Sequence, residues 1–177
     1  MFVTLNLNMK LLPFMRDSFE DMINSKLEDE KIGYVDGGGT LIDKSGEVKS
    51  CDIEIFLNDE NYYDKLVGIL SNIRMAKGSK IISEKETINI GKDEGLAIYL
   101  NGTDLDKEVY NSCDVNYVLD KLMEEMSGVG TFVSHFEGDK ETGLYFYGES
   151  FKKMKESIID FVNNYPLCEK CRIVQIA

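Results

Sequence analysis

Cys168-Glu169-Lys170-Cys171 has the two-residue spacing with which paired thiols hold a soft metal or exchange a disulfide. A structural zinc centre takes four ligands, and beyond this pair the chain offers only Cys51, Cys113 and His135. The pair follows Pro166, after a helical run and before a final extended segment, so no helix amino terminus stands behind it to acidify a thiol. Neither a metal nor a cofactor is expected. His135 is the single histidine, and any Ser-His-Asp or Cys-His catalysis would have to run through it. Its segment, Thr131 to Glu137, alternates like a strand and puts Val133, His135 and Glu137 on one face. If that face is open, His135 approaches Tyr145 or Tyr147 on the paired strand. Asp52 and Glu54 stand two apart on another strand and share a face there. Such carboxylates can exchange protons or hold a divalent ion, although a hard cation usually takes three or more oxygens. Gly37-Gly38-Gly39-Thr40 has the glycines of a phosphate loop but no following Lys, and the chain continues extended, so it is read as a bulge or a close backbone approach. No catalytic residue is assigned. The binding candidates are Asp52, Glu54, Tyr99, His135, Tyr145 and Tyr147.

These residues need elements to place them. Val3, Leu5 and Leu7 alternate with polar residues as in a half-buried strand, and Pro13 opens a helical run with Phe14, Met15, Phe19, Met22, Ile23 and Leu27 on one stripe. Extended segments follow around residues 32–42 and 51–57, then a helix over roughly Tyr62 to Met75, then an extended stretch from Lys80 to Ile90. The second half has the same order: a strand at Leu96 to Leu100, a helix near Val115 to Met126 capped by Asp114, strands at Val129 to Glu137 and Gly143 to Tyr147, a helix at Phe151 to Val162, and a strand at Arg172 to Ile176. Several features recur at a constant spacing of 91 residues, among them Thr40 with Thr131 and Cys51 with Thr142. The fold class expected is α+β: two tandem ferredoxin-like (βαββαβ) subdomains with antiparallel sheets, residues 1–91 and 92–177.

In that fold the helices cover one sheet face and leave the other to be explained. With Ile53, Ile55 and Leu57 turned to the helices, Asp52, Glu54 and Phe56 point away, and the equivalent positions in the second half are Gly143, Tyr145 and Tyr147, beside Ala97 and Tyr99. One open face is thus acidic with a single ring, and the other is uncharged and rich in tyrosine. A large aromatic patch should meet the first half, another subunit or a ligand. The polar connection Gly102 to Asp114 occurs only in the second half, and Leu144 to Phe151 is the most aromatic window. Both are contact candidates.

Charge narrows the partners. The net charge is −12, with 11 basic against 16 acidic residues through Gly91 and 9 against 16 after it. Neither half supplies the clustered Lys and Arg that neutralise phosphates, so nucleic acid and anionic membrane are disfavoured, while a basic protein partner is permitted. No apolar run is long enough to cross a bilayer, no secretory leader is recognisable, and four sparse cysteines suit a reducing compartment. A cytoplasmic protein is expected.

Gly37-Gly38-Gly39-Thr40, Cys51-Asp52-Ile53-Glu54-Ile55, Leu144-Tyr145-Phe146-Tyr147-Gly148 and Tyr165-Pro166-Leu167-Cys168 together resemble the pattern of uncharacterised bacterial proteins with tandem ferredoxin-like halves, across most of the chain. In a general way the chain is also similar to polymorphic-toxin immunity proteins. The resemblance carries over no catalytic residue. From the acidic charge and the tyrosine-rich sheet face, a non-enzymatic binding protein is expected, immunity-like or regulatory, that meets a protein partner or a second copy of itself through those surfaces. The alternative is a sensor or enzyme with a small-molecule pocket between the halves.

Overall fold

The computed structural model describes all residues, Met1–Ala177, and the chain forms two compact units, Met1–Lys92 and Asp93–Ala177. In the first unit the order is β1 (Phe2–Leu7), α1 (Pro13–Asp29), β2 (Gly33–Ile42), β3 (Val48–Leu57), α2 (Tyr63–Ser71), β4 (Ser79–Ile82) and β5 (Thr87–Ile90). The strands lie in the order β2-β3-β1-β4-β5 and every pairing is antiparallel. The first four give the ferredoxin-like arrangement. The stretch from Lys80 to Ile90, expected as a single extended segment, is instead a hairpin whose second arm adds a fifth strand. Ser83-Glu84-Lys85-Glu86 makes the turn, with the Ser83 amide donating to the Glu86 carbonyl.

Alternation builds the core of this unit. Val3, Leu5, Leu7, Ile53, Ile55 and Leu57 are buried on one side of the sheet, with Leu5 opposite Ile53 and Leu7 opposite Cys51. Ile23 and Leu27 from α1 and Leu66 and Leu70 from α2 complete that core. The apolar stripe of α1 is narrower than its sequence suggests, because Phe14 and Met22 face solvent. Against β2, α1 docks through polar groups: Arg16 donates from Nε to Glu20 Oε1 at 2.7 Å and from a terminal nitrogen to Thr40 Oγ1 at 3.0 Å. Gly38 makes the approach feasible. A Cβ there would sit 2.5 Å from the Asp52 carbonyl and 3.3 Å from Arg16 Nε, and would also collide with Glu20. Within the triple glycine, Gly38 alone is therefore the close-approach point for α1.

The second unit runs β6 (Glu94–Asn101), α3 (Lys107–Ser112), α4 (Val115–Glu125), β7 (Thr131–Glu137), β8 (Glu141–Gly148), α5 (Phe151–Asn164) and β9 (Arg172–Gln175). Its sheet, in the order β7-β8-β6-β9, repeats the ferredoxin-like topology with antiparallel neighbours. Leu96, Ile98, Leu100, Leu144 and Phe146 from the central strands pack with Val118, Leu122, Met126, Met154 and Ile158 from the helices. Asp114 caps α4 by accepting from the Asn116 amide at 2.8 Å, and Ser150 caps α5 by accepting from Lys153. The 102–114 connection is not a plain loop, since it contains α3.

The 91-residue spacing marks equivalent positions in β3 and β8, as with Phe56 and Tyr147, but not in the other strands. Thr40 pairs with Cys51 near the turn of its hairpin, whereas Thr131 opens β7 opposite Tyr147, the position that Tyr34 occupies opposite Phe56 in the first unit. The glycine-threonine corners therefore occupy different places in the two sheets, and their constant spacing does not mark equivalent structure. No helix is long and apolar enough to cross a membrane.

Candidate binding site

On the open side of the first sheet, residues of β1, β2 and β3 fall into register. Phe2 and Tyr34 both lie opposite Phe56, from the two strands that flank β3. Their rings touch: Phe2 meets Phe56 edge-on with centroids 5.1 Å apart, and Tyr34 meets Phe56 at 5.3 Å, tilted by 37°. Phe2 is 60% exposed and Tyr34 42%, while Phe56 between them is half-buried. Ile82 on β4, which pairs with Thr4 beside this cluster, is also exposed. The three rings thus form one contact cluster across three adjacent strands.

Asp52 and Glu54 follow Phe56 along the same face of β3, as their spacing predicts, and both are exposed. Asp52 accepts from Asn6 Nδ2 at 2.6 Å across the β1–β3 pair. Glu54 lies between Thr4 and Gly37, so no bulky neighbour shields its carboxylate. Two negative charges thus border three rings on one pleated surface. Phe2 and Tyr34 are absent from the sequence-based candidates. Phe2 was accessible to the same alternation that places Val3 and Leu5 inward, but Tyr34 reaches the patch through a bulge between Val35 and Gly37 that no periodicity reveals.

The tyrosine face of the second unit is buried. Tyr99, Tyr145 and Tyr147 are only 7%, 1% and 4% exposed, so they do not present a surface to solvent. Tyr99 and Tyr145 form an edge-on pair at 6.1 Å, and the Arg172 guanidinium lies 4.5 Å from the Tyr99 ring centre while its Nη2 donates to both Glu141 oxygens at 2.7 and 2.8 Å. Gly95 leaves room for Tyr147, whose Cε1 would be 2.9 Å from a Cβ at that position. Burial removes these three residues from any exposed partner surface.

His135 does not join them either. A bulge between Phe132 and Ser134 shifts the β7 register, so Ser134 lies opposite Tyr145 and His135 opposite Leu144, a residue of the helix-side core. His135 Nε2 instead stands 3.6 Å from Glu137 Oε1 at the solvent-exposed end of that side. The expected approach of His135 to Tyr145 or Tyr147 fails because one inserted residue inverts the alternation.

The Cys168 to Cys171 turn carries thiols of the unreactive kind. Burial pushes Cys168 up to about 12, with Cys171 and Cys113 nearby adding to the rise, and burial raises Cys171 as well. Cys51 is raised by burial too, against its hydrogen bonds with Thr40 and the Leu11 carbonyl, which act the other way. No group of three or more His, Cys, Asp or Glu side chains is placed to hold a metal ion.

No protein-family model matches the chain, and no curated protein matches it. Among solved structures it is similar to the first two RRM domains of yeast poly(U) binding protein (Pub1), with 10% identity, 99% of each chain covered and a TM-score of 0.27. It is also similar to a proposed monooxygenase from Lactobacillus acidophilus, with 12% identity, 99% of this chain and 93% of the other covered, and a TM-score of 0.30. Likeness at that level bears on neither activity nor ligand.

Proposed function

We propose that this protein is a non-enzymatic, immunity-like or regulatory binding protein of the bacterial cytoplasm that engages a basic segment of a partner protein. The site is the open sheet face of the first unit. The observation that carries this reading is the exposed contact cluster of Phe2, Tyr34 and Phe56 bordered by the carboxylates of Asp52 and Glu54. Aromatic rings take up the stems of Arg and Lys and attract their charged heads, and carboxylates beside them pair with what remains. A second copy of the chain is a poorer occupant, because two molecules of net charge −12 repel. Single-stranded nucleic acid, which stacks on such rings in other proteins, meets two negative charges here.

Fluorescence anisotropy with labelled peptides of equal length, one rich in Arg and aliphatic residues, one acidic and one neutral, tests the assignment. The basic peptide binds, the other two and a labelled oligonucleotide do not, and Phe56→Ala weakens binding by about tenfold or more. Binding of the basic peptide that is indifferent to both Phe56→Ala and Glu54→Gln overturns the site.

A further inference from the structure

Both units contain the ferredoxin-like four-strand order, but only the second inserts α3 between its first strand and its first long helix. That insertion shapes a cleft of about 350 Å³ at the carboxyl end of β6, lined by residues of β6, β8, α3, the start of α4 and the turn before β9. We propose that this cleft binds a small organic cation, a primary amine carried on an apolar body.

Its walls set the ligand class. Leu100 and Leu167 are buried and supply an apolar floor, with Val115 and the ring of Tyr110 at the sides. The Tyr110 hydroxyl is already committed, donating to the Asn101 carbonyl at 3.2 Å and accepting from the Leu105 amide at 3.1 Å, so the ring is fixed as a wall. The lining contains no Lys, Arg or His, and its one charge is the Asp114 carboxylate. Asp114 caps α4 through Oδ1 alone, which accepts from both the amide and the side chain of Asn116 at 2.8 and 3.1 Å. Asp114 is exposed, and Oδ2 of this rim carboxylate is left for a ligand. Thr142 adds a hydroxyl to the lining. An apolar pocket of this size with a few convergent polar groups is the usual form of a small-molecule site. A carboxylate without a basic neighbour selects an ammonium group and rejects an anion.

The proposal is independent of the partner surface on the first unit, so either can fail alone. Amide chemical shifts of the full-length protein are followed while phenethylamine, 2-phenylethanol and phenylacetate are added separately. Phenethylamine moves the amides of Gly102, Asp114, Val115 and Thr142, binds more tightly than the alcohol, and phenylacetate moves none of them. Asp114→Asn keeps an oxygen able to cap the helix while removing the charge, and it weakens phenethylamine by about tenfold or more. Bound amine also slows alkylation of Cys113, which lines the same cleft, and leaves that of Cys171 unchanged. Thr142→Val, which leaves the α4 cap untouched, serves if Asp114→Asn perturbs the helix, and it too weakens the amine. Equal binding of phenylacetate, full binding by both variants, or no shift at these amides overturns the proposal.

Discussion

The thiols illustrate how a suggestive spacing loses its chemistry when its surroundings are known. Cys168 and Cys171 close a turn in which the Cys171 amide donates to the Cys168 carbonyl at 3.1 Å, and Cys168 belongs to the core of the second unit. Burial penalises the thiolate, so Cys168 ionises near an ordinary 9.0 in the unfolded chain and near 12 in the folded one. The folded state thus keeps its proton longer, and the stability this contributes is whole below pH 9 and is lost as the pH climbs toward 12. Cys171 and Cys51 act in the same direction. Urea midpoints should therefore be flat with pH up to about 8 and fall in alkaline solution, with a shallower fall in Cys168→Ala. An alkaline slope unchanged by that substitution would show that Cys168 is not the group responsible. Iodoacetamide should likewise modify half-exposed Cys113 before Cys168.

At the scale of elements, the docking of α1 on β2 rests on a missing side chain. Gly38→Ala puts a carbon against the Asp52 carbonyl, which cannot rotate away, as well as against Arg16 and Glu20. Gly39→Ala meets nothing within 4 Å. The first substitution should destabilise the protein by about 1–3 kcal/mol in urea unfolding and the second by much less. Equal effects would mean that close approach is not what the glycine run provides. The same pair of strands shows what the sequence could and could not disclose. Alternation in Val3, Leu5, Leu7, Ile53, Ile55 and Leu57 announced two central strands and their buried face, and from that followed the ferredoxin-like order and the outward placement of Asp52 and Glu54. The residue register was not announced. Register depends on long-range contacts and on single-residue bulges, one after Val35 and one after Phe132. The first brought Tyr34 unforeseen to Phe56, and the second took His135 away from Tyr145. The hairpin of β4 and β5 was hidden for a similar reason, since its turn contains no glycine or proline.

Over the whole molecule, the negative charge and the local patch should govern different parts of the encounter with a basic partner. Charge acts at a distance: a net −12 speeds the approach of a cation, and that help is screened over about 10 Å at 0.1 M salt and about 3 Å at 1 M. The rings of Phe2, Tyr34 and Phe56 act only in contact, and apolar burial is not weakened by salt. Raising salt from 0.05 to 0.5 M should therefore slow association of a basic peptide by about tenfold or more while changing its dissociation much less. Phe56→Ala should do the reverse, speeding dissociation with the association rate nearly intact. Exposed Glu54→Gln should reduce the association rate and flatten its salt dependence. Stopped-flow measurement of both rates for the three proteins separates these contributions. If salt acted only on dissociation, Asp52 and Glu54 would be contact groups within the bound complex, with no part for the overall charge in drawing the partner in.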